Sequence, residues 1–199
     1  MTEKGAFIVL EGLDGSGKTT QAKLLVNRLK QSRKAVYTAE PSRGKIGMFI
    51  RKQILYAEKR PPVCVEGLLF AADRIDHMQR EVQPALENGH LVVCDRYIYS
   101  SLAYQGGEGL GLDWIQTINE YALKPDLALF IDVSPETVLN RLRRKKSLME
   151  NLDTQRKVRE VYLNFAETGD LVLIDGNKAR KEVAELVFAQ VSAFLNERG

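Results

Sequence analysis

One short segment constrains this chain of 199 residues more than any other: residues 12–19, Gly-Leu-Asp-Gly-Ser-Gly-Lys-Thr. It satisfies the pattern G-x-x-x-x-G-K-[ST] and stands between the apolar run Phe7–Leu10 and the amphipathic stretch Thr19–Gln31. A strand that leads through glycines into a helix presents backbone N–H groups and the positive end of a helix dipole at one point. The segment therefore predicts a loop that wraps the phosphates of a nucleotide within an α/β fold.

Each residue type in this phosphate loop has a chemical reason. Glycines allow the backbone to close around a phosphate where a side chain would obstruct it. The Lys18 ammonium is expected to reach the β- and γ-phosphates, and the Thr19 hydroxyl to bind Mg²⁺. The loop is shared by kinases, GTPases and motors, so it predicts nucleotide binding without selecting among them. The residues assigned to the nucleotide here are Gly12, Leu13, Asp14, Gly15, Ser16, Gly17, Lys18, Thr19 and Thr20.

Five short apolar runs rich in β-branched residues alternate with helical patterns along the chain. Several runs are continuous rather than alternating, which is typical of strands covered on both faces. The alternation predicts a single α/β domain over residues 1–199, with a parallel five-stranded sheet flanked by helices. The apolar runs are Phe7–Leu10, Ala35–Thr38, Leu91–Cys94, Leu127–Val133 and Leu171–Ile174. The helical stretches are Thr19–Gln31, Ile46–Tyr56, Val65–Leu86, the one opened by Ser134-Pro-Glu, and Arg180–Asn196.

Composition narrows the classes of partner. The net charge of +3 is a small basic excess that cations around a phosphate ligand would explain, whereas a polynucleotide binder usually carries a longer basic stripe. No apolar run approaches the ~20 residues needed to cross a bilayer, and the N-terminal residues do not resemble a signal peptide. Cys64 and Cys94 stand in unrelated contexts, so no disulfide framework or metal spacing is predicted. We therefore expect a cytoplasmic protein without nucleic-acid or membrane partners.

The apolar run Leu91–Cys94 ends in Asp95 and Arg96. A carboxylate at such a strand end can hold a Mg²⁺-bound water, and a guanidinium beside it can bridge donor and acceptor phosphates. The alternative is a solvent-exposed Asp–Arg pair of little energetic consequence. No Asn-Lys-x-Asp follows a strand, and the only Asp-x-x-Gly lies inside the phosphate loop. A kinase of small phosphorylated acceptors is therefore favoured over a GTPase.

Four segments occur in an order and at a spacing that resemble thymidylate kinases of the bacterial and archaeal type, which are P-loop kinases of nucleoside monophosphates. They are Glu11–Thr20, Glu40-Pro41, Leu69–Arg74 and Asp95–Gly106. The likeness extends over nearly the whole chain, including Lys124-Pro-Asp-Leu. It implies a three-layer P-loop kinase fold with a short basic lid, ATP as donor, Mg²⁺ as cofactor, and phosphorylation of dTMP to dTDP. It also implies a homodimer.

For the acceptor, the resemblance implies that Phe70 stacks on thymine and that Arg74 donates to a thymine carbonyl. The two residues are four apart and share one helix face, although the apolar neighbours of Phe70 leave a core role open. Asp14 matches the carboxylate near the sugar 3′-hydroxyl. Tyr104 matches the ring that packs where a 2′-hydroxyl would crowd it, with solvated polar groups on a helix as the alternative for this segment. The remaining implied acceptor residues are Glu40, Arg51, Arg96, Ser101 and Gln105.

The chain departs from the family pattern at Ala39. Members commonly carry a basic residue immediately before the Glu-Pro pair, so one acceptor-phosphate contact is left open, with Arg43 and Lys45 as candidates. The tight loop of the family also predicts a cis peptide bond between Glu40 and Pro41.

Residues 141–146, Arg-Leu-Arg-Arg-Lys-Lys, resemble the start of the basic lid, at about 141–152, that such kinases close over ATP to exclude water. Positions 13–16 contain no arginine, so the resemblance implies that the lid supplies a catalytic one. Arg141, Arg143 and Arg144 are the candidates, beside Lys18 and Arg96 in the catalytic set, although a charge run is often a solvated face. After the last strand, Asn177 and Lys178 resemble the loop that lines adenine; an ordinary turn is the alternative.

Two other functions stay open at this stage. A deoxynucleoside kinase would have an acceptor without a phosphate, and the basic loop between Glu40 and Arg51 would then lack a purpose. A non-catalytic P-loop nucleotide-binding module would bind ATP without turnover and would need no organised acceptor pocket.

Overall fold

The computed structural model of the chain describes residues 4–55, 60–141 and 152–198. Within them, the strands are β1 (Ala6–Glu11), β2 (Ala35–Ala39), β3 (Leu91–Asp95), β4 (Leu127–Asp132) and β5 (Val172–Asp175). They form one parallel sheet in the order β2-β3-β1-β4-β5. The predicted five-stranded parallel sheet is confirmed, and each strand end lies within one residue of its predicted position.

Helices flank this sheet. Two π-helical segments, Arg51–Leu55 and Met78–Val82, continue the α-helices Lys45–Ile50 and Val63–His77. The predicted stretch Val65–Leu86 is therefore helical but changes its hydrogen-bond period, and it does so just before Pro84, which has no N–H to donate. The described α-helices are α1 (Lys18–Leu29), α2 (Lys45–Ile50), α3 (Val63–His77), α4 (Gln83–Glu87), α5 (Ile98–Gly107), α6 (Leu112–Ile118), α7 (Pro135–Arg141), α8 (Leu152–Glu167) and α9 (Arg180–Glu197).

The core is built around the central strands. Every residue of β1 and β3 is buried, as expected for strands with a neighbour on each side and helices on the faces. Helix α1 packs with α9, and α5 packs with α8. In α1, α8 and α9 the buried side chains share one face and exposed charges occupy the other, whereas α5 carries no charged residue and is mostly buried.

The strand order decides where a ligand would lie. All five strands are parallel, so their carboxyl ends share one edge of the sheet. The phosphate loop leaves β1 at this edge, beside Asp95 at the end of β3. The N–H of Glu40, just after β2, donates to the carbonyl of Asp95 over 3.1 Å. The Glu40–Pro41 peptide bond is cis, as predicted.

Two smaller expectations concern the thiols and the membrane. Cys64 is exposed and Cys94 is buried, and both are free thiols. Among the residues that the structure describes, no helix combines the length and the apolar character required to span a membrane. A cytoplasmic location stays a prediction.

Candidate active site

Three glycines of the phosphate loop have positive φ angles, which other residue types adopt only with strain. Gly12, Gly15 and Gly17 have φ angles of 153°, 84° and 94°. A Cβ on Gly12 would lie 2.8 Å from the carbonyl oxygen of Ile131, so a side chain is excluded by contact as well. Gly17 caps α1, whose first turn holds no acidic residue. The free N–H groups at this helix start are thus left for an anion.

The side chain of Lys18 points back into the phosphate loop. Its side chain is buried, and its Nζ donates to the carbonyl of Leu13 over 2.9 Å. The Asp14 carboxylate lies 4.0 Å from the same nitrogen. Burial, and then the nearby Arg96 guanidinium, lower the pKa of Lys18 to about 8. A partly uncompensated buried cation at this position is suited to phosphate oxygens.

The two residues predicted to hold a metal ion are in contact. The Thr19 hydroxyl donates to Oδ2 of Asp95, and the Tyr37 hydroxyl lies 3.4 Å from the same oxygen. The other carboxylate oxygen, Oδ1, is buried and has no partner within the described chain. A hydroxyl and an unpartnered carboxylate oxygen fit the oxygen ligands that Mg²⁺ prefers. Among the described residues, no group of three or more His, Cys, Asp or Glu is placed to hold a metal ion, so Mg²⁺ would take its other ligands from phosphates and water.

Arg96 stands where the phosphate loop meets a second cavity. Its backbone adopts a left-handed conformation, with a φ of 70° that is uncommon outside glycine. One guanidinium nitrogen, Nη2, donates to Asp14 over 2.5 Å and to the Tyr104 hydroxyl over 3.2 Å; the other, Nη1, donates to Ser100 over 3.0 Å. Asp95 is buried and Arg96 pairs with Asp14, so the alternative of a solvent-exposed Asp–Arg pair is wrong.

Asp14 connects the loop to that second cavity. Its Oδ2 accepts the Tyr104 hydroxyl over 3.1 Å, while Oδ1 accepts Arg96. Burial acts to raise the pKa of Asp14, but the charges of Arg96 and Lys18 outweigh it and lower the pKa to about 2. The side chain is therefore a carboxylate at any physiological pH.

The second cavity brings together most of the predicted acceptor residues. Phe70 is half-buried on its wall and does not belong to the buried core, so the core alternative is not supported. Oε1 of Gln105 is buried with no hydrogen-bond partner in the described ranges. The lining consists of Asp14, Glu40, Pro41, Leu55, Glu66, Phe70, Arg74, Arg96, Tyr97, Ser100, Ser101, Tyr104 and Gln105.

Arg74 is held in this wall by protein groups. The side chain is 1% exposed, and its guanidinium donates to Glu40, to Asn119 and to Ser101 over 3.0, 2.5 and 3.1 Å. Glu40 also contacts the His77 ring over 3.2 Å. The Glu40 carboxylate thus orients Arg74, a role that the sequence did not indicate. Asn119 and His77 belong to no recognised motif, so the sequence did not indicate that they contact site residues.

Arg51 lies outside this lining, in a wider cleft that joins the cavity to the phosphate loop. Of the two candidates for the contact left open by Ala39, Arg43 lines the cleft, whereas Lys45 does not. Asp73 fixes the loop that carries Arg43, since it accepts both the N–H and the hydroxyl of Ser42 over 2.6 Å. The cations along the cleft are Lys18, Lys23, Arg43, Arg51 and Arg96.

A third cavity lies on the other side of the phosphate loop. Gly15–Gly17, Thr20, Arg141 and Lys178 line it, as expected for a site that holds the rest of the nucleotide. Asn177 is not part of the lining, because its N–H and its side-chain amide both bond to Asp175 and close the turn. Gln21 was missed by sequence reasoning: it is buried in this wall and donates to the carbonyl of Arg180 over 3.1 Å. Arg143 and Arg144 lie outside the described residues.

Comparison with known proteins agrees with this geometry. The model of the family described as "Thymidylate kinase" matches residues 10–187. A probable thymidylate kinase of Pyrococcus abyssi is 42% identical over 197 residues, which cover 94% of this chain and 96% of that protein. A probable thymidylate kinase of Thermococcus kodakarensis is 39% identical over 203 residues, which cover 96% of this chain and 99% of that protein. The chain therefore belongs to the thymidylate kinase family.

Proposed function

We propose that the chain transfers the γ-phosphoryl group of ATP to dTMP, giving ADP and dTDP, at the junction of the three cavities. The observation that carries this proposal is the position of Arg96. Its guanidinium donates to both Asp14 of the phosphate loop and Tyr104 of the acceptor cavity, and it lines both the cavity and the cleft, which supports a role between the two substrates.

The reaction is a direct displacement. A phosphate oxygen of dTMP attacks the γ-phosphorus, and the bond from that phosphorus to the β–γ bridging oxygen breaks as ADP leaves. Lys18 neutralises charge on the donor phosphates, and Arg96 stabilises the charge that moves between donor and acceptor. No side chain needs to form a covalent intermediate, because holding the two phosphates in line supplies much of the acceleration.

Thr19 and Asp95 are the residues that would hold Mg²⁺. The ion, when bound, neutralises negative charge on the β- and γ-phosphates. The unpartnered Oδ1 of Asp95 supports this assignment, since a buried carboxylate oxygen without a partner is otherwise costly.

The acceptor cavity accounts for the choice of thymine and deoxyribose. We assign the face of Phe70 to the pyrimidine ring and the remaining donor capacity of the Arg74 guanidinium to a thymine carbonyl. The Tyr104 hydroxyl is locked by Asp14 and Arg96, so its buried ring cannot withdraw to admit a 2′-hydroxyl.

The two alternatives fit the site less well. A deoxynucleoside kinase would have no use for Arg43 and Arg51, which line the cleft between the two substrates. A non-catalytic nucleotide-binding module would not need the cavity around Phe70 and Arg74.

A coupled assay of ADP release tests the proposal, with dTMP, dUMP, CMP and thymidine as acceptors. We expect turnover with dTMP, and none with thymidine beyond the ATP-only background. Intact ATP binding without dTMP-dependent turnover would refute the proposal.

Two implications of the family also stay proposals. A lid at about residues 141–152 would supply a catalytic arginine, and the position of Arg141 in the wall of the third cavity supports this idea. A homodimer rests on the family alone. Light scattering coupled to gel filtration would decide it, since a mass near 22.4 kDa would exclude the dimer.

A further inference from the structure

Glu11 is the one charged residue of β1, where the other five side chains are apolar, and it is completely buried. Its carboxylate faces the start of α5. Oε1 accepts the backbone N–H of Tyr97 over 2.9 Å and that of Ser100 over 3.3 Å. Helix α5 begins with Tyr97 as its N-cap, which makes no side-chain capping bond. A carboxylate from another element therefore satisfies the free N–H groups of this helix.

The second oxygen of Glu11 leads to the catalytic arginine. Oε2 accepts the Ser100 hydroxyl over 2.6 Å, and the same hydroxyl oxygen accepts Nη1 of Arg96 over 3.0 Å. A hydroxyl has one proton to donate, and here Glu11 takes it, so the lone pairs of Ser100 are directed toward Arg96. The contacts form a directional chain from Arg96 through Ser100 to Glu11.

Helix α8 contributes to the same network. The Tyr162 hydroxyl lies 3.1 Å from Oε2 of Glu11 and 3.1 Å from the Ser100 hydroxyl. Its ring stacks on Phe130 of β4, with centroids 4.8 Å apart. Four elements, β1, β4, α5 and α8, thereby meet around one carboxylate. Hydrogen bonds from the start of α5 and from Tyr162 of α8 hold it in place.

Arg96 depends on such support because of its own geometry. Its left-handed backbone leaves the regular path of β3, and its guanidinium has two protein anchors, the Asp14–Tyr104 pair on one nitrogen and Ser100 on the other. The first anchor joins the phosphate loop to the acceptor cavity, whereas the second is Ser100, a half-buried residue of the cavity wall that is itself bonded to the buried Glu11. Loss of the second anchor would leave the guanidinium free to rotate about the first.

We propose that Glu11 is a positioning residue for phosphoryl transfer: it orients Ser100, and through Ser100 it holds the Arg96 guanidinium between the two phosphates. The inference rests on the role of Arg96 given under the proposed function. It assigns Glu11 no contact with either substrate. A displacement of about 1 Å in a group at the reacting centre can cost on the order of a hundredfold in rate.

The competing explanation is that Glu11 only caps α5 and stabilises the fold. The two explanations differ in how the effect of Glu11 depends on Arg96. A positioning residue loses its effect once the arginine is replaced, whereas a fold-stabilising residue keeps it. Coupling between residues of this kind is measured by comparing single and double variants.

The test uses Glu11→Gln and Ser100→Ala, each alone and combined with Arg96→Lys. The rate of phosphoryl transfer would be measured in single-turnover reactions, with enzyme in excess over labelled ATP and with saturating dTMP, which allows slow variants to be followed for hours. We expect each single variant to lose about tenfold or more in rate. In the Arg96→Lys background, the same changes should cost less than about twofold.

Val191→Ala is the matched control, because Val191 is fully buried on α9 and lines none of the three cavities. It should lower the melting temperature without changing the transfer rate. Equal losses in both Arg96 backgrounds, or no loss from Glu11→Gln and Ser100→Ala in the presence of Arg96, would overturn the inference. An unchanged rate in Arg96→Lys itself would instead refute the proposed role of Arg96. The two failures are therefore distinguishable.

Discussion

At the scale of single residues, the site is an arrangement of opposite charges that lie close together. Arg96 and Lys18 lie close to Asp14 and Asp95; Lys18 and Asp95 are buried, whereas Arg96 and Asp14 are partly exposed. Two cations beside two carboxylates leave little net charge before substrates bind. The phosphates of ATP and dTMP would add negative charge, which these cations are placed to neutralise.

The pKa of Lys18 predicts how ATP affinity depends on pH. Burial and Arg96 lower this pKa to about 8 in the free protein, whereas phosphates stabilise the protonated amine. Binding above pH 8 must therefore take up a proton, and the dissociation constant for ATP should rise by about tenfold per pH unit there. Titration calorimetry in buffers of different ionisation enthalpy measures both the affinity and the proton uptake.

Lys18→Arg is the control for this prediction, because a guanidinium stays protonated over the same range. The variant is expected to bind ATP with an affinity that hardly changes between pH 7.5 and 9.5. The same steep decline in the variant would show that another group is responsible.

Phe70→Ala tests whether this ring recognises the acceptor base. The ring lines the acceptor cavity and lies outside the buried core, so its removal should raise the KM for dTMP by about tenfold with little loss of stability. Phe188→Ala makes the same chemical change in a half-buried ring that packs on the core from α9. It should lower the melting temperature and leave the KM unchanged. A Phe70→Ala variant that behaves like Phe188→Ala would restore the core interpretation.

At the scale of secondary-structure elements, much of the sheet could be predicted because its signals are local. Continuous runs such as Leu91–Cys94 indicate buried strands directly. Helix α8 was not predicted, since its buried stripe of Gln155, Val158 and Tyr162 is narrow and interrupted by charges. The π-helical segment Met78–Val82 was not predicted either, because hydrophobic spacing does not reveal a change of hydrogen-bond period.

The candidate site could be predicted wherever its residues lie in a motif. The phosphate loop, Asp95, Arg96 and the α5 side chains were found in this way. The sequence did not reveal the residues that orient these side chains, because they belong to no motif. Asn119 accepts a hydrogen bond from Arg74, His77 contacts Glu40, and Tyr162 contacts Glu11. Such contacts join residues far apart in the chain, so spacing along the sequence carries no trace of them.

Asp73 provides a prediction at this scale, because it fixes the loop between β2 and α2. It is buried and accepts two hydrogen bonds from Ser42. In Asp73→Ala both donors lose their acceptor, and we expect a loss of roughly 1–3 kcal/mol in the free energy of unfolding. The loop carries Arg43, which lines the cleft and is our candidate for the acceptor-phosphate contact, so we expect the KM for dTMP to rise while the KM for ATP stays within about twofold.

Denaturant unfolding and steady-state kinetics measure these two effects. The exposed carboxylate of Asp113 at the start of α6 offers a control, and Asp113→Ala should change the unfolding free energy by less than about 1 kcal/mol. If Asp73→Ala raised both KM values equally, the loop would not be specific to the acceptor.

At the scale of the whole molecule, the parallel sheet brings two binding sites to one edge while building them from different elements. The proposed donor site uses the phosphate loop, α1 and the segment before α9, whereas the proposed acceptor cavity is lined mainly from α3 and α5. The junction between the acceptor cavity and the wider cleft is lined by Asp14, Glu40, Pro41, Leu55 and Arg96, which belong to both. A substitution remote from the junction should therefore affect one substrate and spare the other.

Thermal unfolding of the whole protein makes this separation measurable. A ligand at 100 times its dissociation constant stabilises the folded state by about 2.7 kcal/mol, which corresponds to roughly 5–10 °C for a domain of this size. A non-hydrolysable ATP analogue with Mg²⁺ and dTMP should each produce such a shift. Lys18→Ala should remove the shift caused by the ATP analogue and keep the shift caused by dTMP. Phe70→Ala should remove the shift caused by dTMP and keep the shift caused by the ATP analogue. If either substitution abolished both shifts, the two sites would form one cooperative unit, and assigning residues to one substrate or the other would be wrong.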